Sequence, residues 1–575
     1  MKNIILGIHD GHNCGATLVI DGKIFSSICE ERLSRKKNDT GYPKMSIDFL
    51  KNHAGIENND ISSVVYASLF MHRSSMLENK LKWYKVGIRE QKRDEKEKKS
   101  KLLNKFIRRK KERIRNVVNH LKINEKKISF IEHHLCHLAA AYYTAPKYFA
   151  NKKILGLTCD GAGDGLSATV SKCSSGKIKR ISKTDRHASL GKIYSRVTTL
   201  LGMQPWEHEY KVMGLAPYAK YENYTDILKV FNKLLKISRN SLKFQKAGNL
   251  STNYCMKHLN EKLAYKRFDN ISGALQFFTE RMLITWVKNC IKKTKLNYLV
   301  CGGGVFMNVK ANMLIANLPE VKRIYVMPSA ADESLSIGAA LHKYYEVSKN
   351  KKHEKSSINN LYFGKDFDRK SELKAIRKLI KNKKFIIFDG EKINLNKKIA
   401  NLLFNNKVIA RSAGRAEWGA RALGNRSILA RADDVNNIQK INNMIKKRDF
   451  WMPFSPLILK EDFKKYFKDP KKINPKFMTF AFKTASKNLK HLIAASHSND
   501  QTIRPQIISK EDNKSFYEIL KNYKKLSGMS VLLNTSFNLH GYPIVNSPFD
   551  AVNVFLNSGI DGLALNNFIV LRKQV

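Results

Sequence analysis

Short apolar runs separated by polar turns dominate the first part of the chain. The runs Ile4–Ile8, Ala16–Ile20 and Lys23–Ile28 each have the length of a strand, and the last two flank the dipeptide Asp21-Gly22. An Asp-Gly pair between two such runs is typical of a two-residue hairpin turn, because both residues tolerate a positive φ. The pattern therefore predicts a buried first strand followed by a β-hairpin.

Further along the chain, predicted strands, glycine-rich turns and helices alternate. Lys153–Cys159 and Leu166–Val170 flank a glycine-rich bend and predict a second hairpin. Tyr298–Cys301 predicts a strand that leads through three glycines into a helix from about Val305, and Ile324–Met327 predicts a strand followed by another helix. Alternation of this kind indicates an α/β fold.

The best candidate for a domain boundary is the polar stretch 346–360, with the sequence EVSKNKKHEKSSINN, which is nearly free of large apolar residues. Strand-like runs begin again after it, at Phe385–Phe388 and Val408–Ala410. We therefore expect one domain over residues 1–350 and a second domain over residues 359–575.

The composition is that of a folded, multidomain protein without a membrane span. Of the 575 residues, 43% are hydrophobic, and no uninterrupted apolar run reaches the roughly 18 residues that a transmembrane helix needs. The first residues turn polar too early for a signal peptide, so we expect a cytoplasmic protein. The 8 cysteines show no CxxC spacing, which excludes a zinc ribbon and argues against a disulfide framework.

The chain is strongly basic. Lysine and arginine number 105 against 49 acidic residues, which gives a formal net charge of +56 and is compatible with a polyanionic partner. However, the excess is mostly lysine scattered along the chain, and its densest segment, Arg89–Lys127, also contains acidic residues and predicts an exposed helix. We favour a solvated basic surface over a specific nucleic-acid site, and an anionic small substrate or nucleotide fits the charge equally well.

Two histidines are candidate metal ligands. His133 and His137 follow a predicted strand, and on a helix their spacing places both side chains on one face. Two imidazoles so placed chelate a metal ion when a further ligand is present; otherwise they are a hydrogen-bonded pair at a helix start. Asp332 follows another strand at a helix start, where it serves either as an N-cap or as that further ligand. Two histidines and one aspartate leave coordination positions open for substrate or water.

Arginines are concentrated in the C-terminal part of this lysine-rich chain. Small and apolar residues are interleaved with its cationic members, which are Arg415, Arg421, Arg426, Arg431, Lys446, Arg448 and, further on, Arg504. Guanidinium groups bind phosphates and carboxylates through two hydrogen bonds at once. We expect an anion-binding cleft here, and the alternative is a solvated basic face.

Five motifs stand out, in this order: EERLSRKK at 30–37, HHLCH at 133–137, KVMGLAPY at 211–218, GARALGNRSIL at 419–429 and NTSFN at 534–538. Together they resemble the O-carbamoyltransferase family, which includes nodulation-factor and antibiotic carbamoyltransferases such as the tobramycin enzyme. The resemblance extends over nearly the whole chain.

The resemblance implies two fused α/β modules. The N-terminal module is similar to the tRNA threonylcarbamoyl transferase subunit, which implies an actin-like, duplicated ribonuclease-H-like fold. The C-terminal module is similar to threonylcarbamoyl-AMP synthase, which implies a twisted open sheet with a basic cleft. In the family, the C-terminal module makes carbamoyl adenylate from carbamoyl phosphate and ATP with Mg²⁺, releasing pyrophosphate and phosphate. The N-terminal module then passes the carbamoyl group to an acceptor hydroxyl and releases AMP.

The resemblance also assigns residues. In the C-terminal cleft the implied catalytic residues are Arg421, Lys446 and Arg448, and the implied substrate-binding residues are Arg415, Arg504, Ser536 and Asn538. In the N-terminal module His12 is the candidate base for the acceptor hydroxyl. The nucleotide is expected at Gly163, Asp164, Lys211, Gly303 and Asn308. The family metal is iron(II), held by His133, His137 and Asp332, although this donor set also accepts zinc or manganese.

Some positions depart from the family pattern. His12-Asn13-Cys14-Gly15 stands where the family usually has His-Asp-Ala-Ser, so the acceptor side of the site is expected to differ. Ala420 replaces the usual proline of a Gly-Pro-Arg motif, while the arginine is retained as Arg421.

Two other interpretations stay open. One is a tRNA-binding modification protein of the threonylcarbamoyl type, which the net charge of +56 favours, and the other is a catalytically inactive binding protein. The fused module order and the RALGNRS motif at 421–427 favour the carbamoyltransferase, with the hydroxyl of a sugar or secondary metabolite as acceptor. The identity of the acceptor and the oligomeric state, including homo-oligomerisation, are not encoded in these motifs.

Overall fold

The computed structural model describes residues 2–79, 84, 86–97, 99–348, 356–469, 471–484 and 486–573. The chain is a mixed α/β protein that divides into two units. The first consists of Met1–Glu30 and Asn38–Ile358, and the second of Glu31–Lys37 and Asn359–Val575.

The strands of the first unit are β1 (Ile4–His9), β2 (Gly15–Ile20), β3 (Lys23–Cys29), β4 (Ser63–Ala67), β5 (Ile128–Ile131), β6 (Ile154–Gly163), β7 (Leu166–Ser174), β8 (Lys177–Asp185), β9 (Leu235–Lys236), β10 (Gln245–Lys246), β11 (Tyr298–Gly302) and β12 (Arg323–Val326). Those of the second unit are β13 (Phe385–Asp389), β14 (Ile409–Ser412), β15 (Arg426–Ala430), β16 (Ser455–Leu459), β17 (Phe482–Lys483), β18 (Thr502–Ile503), β19 (Gln506–Ile508), β20 (Val531–Ser536), β21 (Gly562–Ala564) and β22 (Phe568–Arg572).

The helices in the described ranges are α1 (Glu31–Ser34), α2 (Lys44–Ala54), α3 (Ser74–Glu78), α4 (Ile88–Glu95), α5 (Lys99–Leu121), α6 (His133–Thr144), α7 (Leu190–Leu200), α8 (Glu209–Leu215), α9 (Thr225–Asn232), α10 (Met256–Leu263), α11 (Phe268–Thr294), α12 (Val309–Ala316), α13 (Leu335–Val347), α14 (Arg369–Ile380), α15 (Leu395–Phe404), α16 (Asn436–Ile441), α17 (Phe463–Tyr466), α18 (Lys514–Ser527) and α19 (Pro548–Leu556). None of them combines the length and hydropathy needed to cross a bilayer.

Two five-stranded sheets in the first unit share one topology. In the order β3-β2-β1-β4-β5, the first three strands form an antiparallel meander and β4 and β5 run parallel to β1. In the order β12-β11-β6-β7-β8, the meander is β6-β7-β8 and the parallel strands are β11 and β12. The predicted turn at Asp21-Gly22 is confirmed, with φ of 49° and 82°.

Helices α6 and α13 pack closely in the first unit and bring the strand ends together. Both follow parallel strands, and α13 also packs against β1, β2 and β4. A Cβ on Gly338 of α13 would lie only 1.8 Å from the carbonyl oxygen of Cys136 in α6, so the helices meet at this depth only because residue 338 is glycine. The contact fixes the two helix starts at which His133 and Asp332 lie.

The second unit is built on a mixed eight-stranded sheet in the order β13-β22-β21-β14-β15-β20-β16-β19. Helices α15 and α18 cover one face, where Ile409, Leu429, Leu457 and Leu532 form part of a fully buried core with Phe516. Strand β20, which carries part of the NTSFN motif, lies between β15 and β16 in this sheet.

Residues 31–37 belong to the second unit, which differs from the linear division expected from the sequence. Arg32 donates a hydrogen bond to the carbonyl of Gly419, and Arg35 donates to the carbonyls of Pro543 and Ile544. The EERLSRKK motif is therefore in part a structural element of the second unit. A boundary drawn along the sequence misses it, because the polar stretch at 346–360 marks only one of the chain's crossings between units.

Two local predictions were wrong in detail. The helix expected from about Val305 begins at Val309, because Gly304–Met307 first forms a 3-10 turn and Asn308 caps the helix. The segment Arg89–Lys127 forms helices α4 and α5 but is not wholly exposed: Arg113 is fully buried.

Candidate active site

Two buried histidines converge at the start of α6. The helix begins directly after β5 and is capped by Glu132, whose carboxylate accepts hydrogen bonds from the backbone of His134 and Leu135. The predicted helical spacing of His133 and His137 is thus confirmed, and their Nε2 atoms lie 3.1 Å apart. Ligands about 2.1 Å from one divalent ion and at right angles are separated by about 3 Å, so the pair has the spacing of two neighbouring ligands.

Two carboxylates complete the cluster. Asp332 lies at 3.7 Å from Nε2 of His133 and 3.5 Å from Nε2 of His137 through its Oδ1 atom. Asp160, near the end of β6, lies with Oδ2 at 3.4 Å from Nε2 of His133. One ligand atom from each of these four residues lies within 4.8 Å of all the others. Asp160 was not singled out in the sequence as a ligand, although it begins the glycine-rich bend DGAGDG.

Hydroxyl groups orient both imidazoles. Nδ1 of His133 lies 3.0 Å from Oγ of Ser68, and Nδ1 of His137 lies 3.2 Å from Oγ of Ser334. Metal-bound histidines commonly use the second ring nitrogen in this way, which fixes the ring and leaves Nε2 directed at the ion. Neither serine was identifiable from the sequence, because each comes from a loop remote from α6.

The donor set fits a divalent cation. Burial opposes the charge of His133, but Asp332 and Asp160 raise the pKa of this histidine to about 9. Burial likewise disfavours ionised carboxylates, yet the surrounding histidines hold the pKa of Asp160 and that of Asp332 below the usual range. Two imidazole nitrogens and two ionised carboxylates suit iron(II), zinc or manganese. The residues therefore fit a metal ion and leave its identity open.

His12 lies on the open side of this cluster. Its Nδ1 atom is 3.4 Å from Oδ2 of Asp332, and its side chain is 24% exposed, whereas His9 is fully buried. The His12 ring stacks on Trp206 with centroids 4.9 Å apart. Trp206 has a φ of 67°, which is uncommon for a bulky side chain. The candidate base is thus held between a carboxylate and an aromatic ring.

The residues expected at the nucleotide have different surroundings. A Cβ on Gly163 would lie 2.1 Å from Cγ of His133, so this glycine makes room for the ring of a candidate metal ligand. The carboxylate of Asp164 accepts hydrogen bonds from the backbone of Leu69, Phe70 and His133, which occupies both of its oxygens with protein donors.

The other three residues expected at the nucleotide lie on different elements. Gly303 has a φ of 96° and packs against the Cys159 carbonyl, so it needs to be glycine. Asn308 caps α12 and hydrogen-bonds Gln276, and Lys211 lies in α8.

In the second unit, Lys446, Ser536 and Asn538 meet. Nζ of Lys446 lies 3.1 Å from Oγ of Ser536 and 2.7 Å from Oδ1 of Asn538. Lys446 is buried, and no carboxylate within the described ranges forms an ion pair with it. Burial, and then the charge of Arg448, hold the pKa of Lys446 well below its ordinary value. A buried ammonium group with only neutral partners is a candidate anion ligand.

The predicted arginines do not all join this cluster. Arg448 donates from Nη2 to Oγ1 of Thr535, beside Ser536, and Arg504 donates to Oγ of Ser455. Arg421 is half-buried in the irregular segment between β14 and β15. Arg415 instead donates to the carbonyl of Gly364 and lines a cavity of about 500 Å³. Arg411, a residue that the sequence did not single out, lines the same cavity.

The fold and the site define the class of this protein: a two-unit α/β protein with a cluster that could hold a metal ion in one unit and a cationic cluster in the other. A family model described as the carbamoyltransferase N-terminus matches residues 4–341, and one described as the carbamoyltransferase C-terminus matches residues 400–572. The chain therefore belongs to the carbamoyltransferase family.

Similar proteins include members from archaea and bacteria. An uncharacterised protein of Methanocaldococcus jannaschii is 33% identical over 579 residues, which cover 99% of this chain and 100% of that protein. The nodulation protein NolNO of Sinorhizobium fredii is 29% identical over 582 residues, covering 98% of this chain and 79% of that protein. These matches agree with the family predicted from the motifs.

Among solved structures, component A of the (R)-2-hydroxyglutaryl-CoA dehydratase of Acidaminococcus fermentans has 14% identity and a TM-score of 0.33 and covers 60% of this chain and 98% of its own. Full-length HypF, bound to phosphate and nucleotide, has 12% identity and a TM-score of 0.33 and covers 60% of this chain and 47% of its own. Structural similarity at this level does not establish the fold or the site of this chain.

Proposed function

We propose that the protein is an ATP-dependent O-carbamoyltransferase that works in two half-reactions. In the first, carbamoyl phosphate and water give carbamate and phosphate, and carbamate attacks ATP to give carbamoyl adenylate and pyrophosphate. In the second, the oxygen of an acceptor hydroxyl attacks the carbamoyl carbon and AMP leaves. We take the acceptor to be a sugar or secondary metabolite, in keeping with the family resemblance.

One observation supports the division of labour between the units. The buried cluster of two histidines and two aspartates lies within the region matched as the N-terminus of the family. The buried Lys446, which forms no ion pair with a carboxylate of the described residues, lies within the C-terminal match. The duplicated sheet topology of the first unit supports an actin-like fold for it. The mixed eight-stranded sheet supports the synthase-like fold proposed for the second unit.

In the second unit, the chain supplies positive charge. Two phosphorylated substrates repel each other, and fixed cations in a water-poor site offset that repulsion without reorganising. Lys446 is held by the hydroxyl of Ser536 and the amide oxygen of Asn538, which position its ammonium group without neutralising it. Arg448 adds a second cation beside it, stacked over the ring of Phe454.

In the first unit, His12 takes the proton of the acceptor hydroxyl. The negative charge of Asp332 near Nδ1 favours a proton on that nitrogen, which leaves Nε2 as the acceptor. Trp206 holds the His12 ring from one side. A divalent ion on His133, His137, Asp160 and Asp332 would act as a Lewis acid on the carbamoyl donor.

The half-reactions can be measured separately. Pyrophosphate release from ATP should require carbamoyl phosphate and should not be supported by threonine with bicarbonate. Lys446→Gln should lower this release by about 100-fold or more, because it removes a fixed cation from the site. The neighbouring, exposed Lys447 is the matched control, and Lys447→Gln should leave release within about twofold, as expected for a surface substitution.

His12→Ala should impair the transfer half-reaction and not the formation of carbamoyl adenylate. Release of pyrophosphate should stay near the wild-type rate, while transfer of radiolabel from carbamoyl phosphate to a panel of oligosaccharides should be lost. If a folded His12→Ala protein lost both activities equally, the assignment of roles would be wrong. Release with threonine and bicarbonate, but not with carbamoyl phosphate, would instead support the threonylcarbamoyl interpretation.

A further inference from the structure

Helix α7 carries two cations that the proposed mechanism does not use, the half-buried Lys192 and the buried Arg196. Lys192 and Arg196 lie one turn apart on its inner face, and among the described residues neither forms an ion pair with a carboxylate. Arg196 is only 3% exposed. Its Nη2 donates to the carbonyl of Asn253, while Nε and Nη1 are buried with no hydrogen-bond partner in the described part of the chain. A buried guanidinium with two nitrogens left without a hydrogen bond is costly unless a ligand pairs with them.

The start of α7 abuts the metal-binding cluster. Ser189 caps the helix by accepting a hydrogen bond from the backbone of Lys192 and donates one to the carbonyl of Gly161. A Cβ on Gly191 would lie 2.8 Å from the carbonyl oxygen of Asp160, so the helix backbone touches the residue that supplies a ligand. The strand end and the helix start are therefore held as one element.

The ammonium group of Lys192 lies beside this junction. It is 4.0 Å from the point where a Cβ of Gly161 would be, and Gly161 directly follows Asp160. Burial, and then the charge of Arg196, lower the pKa of Lys192 to about 8, and Asp160 and Asp332 act in the opposite direction. Lys192 thus lies within electrostatic reach of both carboxylates of the cluster.

The other end of the pair borders the side of His12. The guanidinium of Arg196 lies 4.5 Å from the centroid of the Tyr84 ring, and Tyr84 makes an edge contact with Trp206, which stacks on His12. One cation therefore borders the residues that could hold the metal, and the other borders the aromatic rings beside the candidate base. Like charges one turn apart destabilise a helix, and a bound anion would offset the repulsion between these two.

We propose that Lys192 and Arg196 form an anion subsite that binds the phosphate of a nucleoside monophosphate, the leaving group of the transfer half-reaction. This inference rests on the proposed function. When the acceptor oxygen bonds to the carbamoyl carbon, the bond between that carbon and the phosphate oxygen breaks, and its electron pair stays on the phosphate. The hydroxyl proton goes to His12. The two cations stabilise the negative charge that develops on the leaving phosphate.

Binding of AMP compared with adenosine tests the subsite directly. The two ligands differ only in the phosphate, and calorimetry measures both on the full-length protein. Every protein in this experiment carries Lys446→Gln, so that the cationic cluster of the second unit does not contribute to AMP binding. The reference protein carries this substitution alone. The reference protein should bind AMP more tightly than adenosine. Lys192→Gln should weaken the binding of AMP at least about tenfold, which corresponds to about 1.4 kcal/mol. The affinity for adenosine should not change.

Two further variants separate charge from structure. Lys192→Arg should retain most of the preference for AMP, because it keeps the charge. Lys229→Gln, an exposed lysine of α9, should change neither affinity. The proposal would be overturned if the ratio of AMP affinity to adenosine affinity were the same in the reference protein and in Lys192→Gln. It would also be overturned if the reference protein bound AMP no more tightly than adenosine.

Kinetics distinguish this inference from the function on which it rests. In a chain with Lys446 intact, Lys192→Gln should lower the rate constant of transfer about 100-fold or more, with the KM of the acceptor and the release of pyrophosphate unchanged. A raised acceptor KM with an unchanged rate constant would assign the cations to the acceptor and overturn the proposal. Absence of carbamoyl-phosphate-dependent pyrophosphate release in the unsubstituted protein would instead refute the proposed function.

Discussion

Gly163 shows how a missing side chain shapes the metal-binding cluster. The ring of His133 occupies the space that a Cβ of residue 163 would need, with Cγ 2.1 Å from that point. The neighbouring Gly161 is different, because the nearest side-chain atoms, on Lys192, are 3.9 Å from the point where its Cβ would lie and would make an ordinary contact. Neither glycine has a positive φ, so the contrast between them is steric.

Gly163→Ala should therefore displace His133 and weaken metal binding. We expect a loss of stability of about 1–3 kcal/mol from overpacking and metal affinity lower by about 10–100-fold. Metal content after dialysis, measured by mass spectrometry, and thermal unfolding check both effects. Gly161→Ala is the matched control and should retain the metal. Equal metal content in the two variants would contradict the steric role of Gly163.

At the scale of elements, helix α5 supports the site from behind. Its Arg113 donates two hydrogen bonds to Asp10, at 3.0 and 2.8 Å, and others to the carbonyls of Ala67 and Ser68. Ser68 in turn holds Nδ1 of His133. The sequence of α5 predicts a solvated basic helix. Through the buried guanidinium of Arg113, however, this helix fixes the ends of β1 and β4.

Arg113→Met should be strongly destabilising. Among the described residues, it leaves the buried Asp10 with Arg109 as its one remaining ion-pair partner, and breaking a buried pair costs about 3–5 kcal/mol. Arg115→Met, at an exposed position of the same helix, should change the free energy of unfolding by less than about 0.5 kcal/mol. Urea denaturation at neutral pH measures both. Similar values for the two variants would mean that Arg113 has no anchoring role.

Asp462 links two elements of the second unit and makes its stability sensitive to acid. Its carboxylate lies 2.5 Å from Nζ of Lys524 in α18 and 2.7 Å from Nζ of Lys465. Burial opposes its charge, but the two lysines hold the pKa of Asp462 at about 2. Because the pKa is lower in the folded state, the contribution to stability is present above pH 4 and is lost as the pH falls toward 2.

Asp462→Asn should remove this contribution. The free energy of unfolding should fall by about 1–2 kcal/mol at pH 7, after allowance for solvent screening, and the difference from the unsubstituted chain should narrow below about pH 4. Urea denaturation at pH 7, 5 and 3.5 follows the trend. A difference that stays constant over this range would show that the carboxylate does not titrate with folding.

At the scale of the whole molecule, the net charge of +56 needs an explanation. The exposed face of α5 carries Lys101, Lys105 and Lys111. The one aromatic residue between them in the sequence, Phe106, is half-buried and stacks on Phe70, so these lysines have no run of aromatic rings on which successive bases could stack. The half-buried Lys192 and the buried Arg196 and Lys446 account for the binding of small anions in our proposals. The remaining surface charge is the solvated excess expected from scattered lysine.

We therefore expect only weak, sequence-independent binding to tRNA. Filter binding should detect it at low salt, and it should disappear near 0.15 M salt, where the screening length is about 8 Å. The informative variant replaces Lys101, Lys105 and Lys111 with Gln. It leaves α5 in place, because this helix anchors Asp10. Tight, saturable binding at 0.15 M salt that this variant abolishes would favour the tRNA-modification interpretation.

The local part of the fold and site was predictable from the sequence. The Asp21-Gly22 hairpin and the pairing of His133 with His137 depend on residues close together in the chain, where turn preferences and the 3.6-residue helical period act directly. The motifs also sufficed to predict the family, which the matches over residues 4–341 and 400–572 show. Short-range stereochemistry and motif order are properties that a sequence carries by itself.

Only the tertiary structure decided which distant groups meet. Asp160 meets His133 although β6, which carries Asp160, and β5, which precedes His133, belong to different sheets. The membership of residues 31–37 in the second unit could not be read from a composition break. Arg113 and Lys192 were indistinguishable by sequence from the many exposed cations around them. Full burial made Arg113 an anchoring group, and partial burial made Lys192 a candidate ligand-binding group. The energy of a charge depends on the solvent it has lost and the partners it has gained, and packing alone determines both.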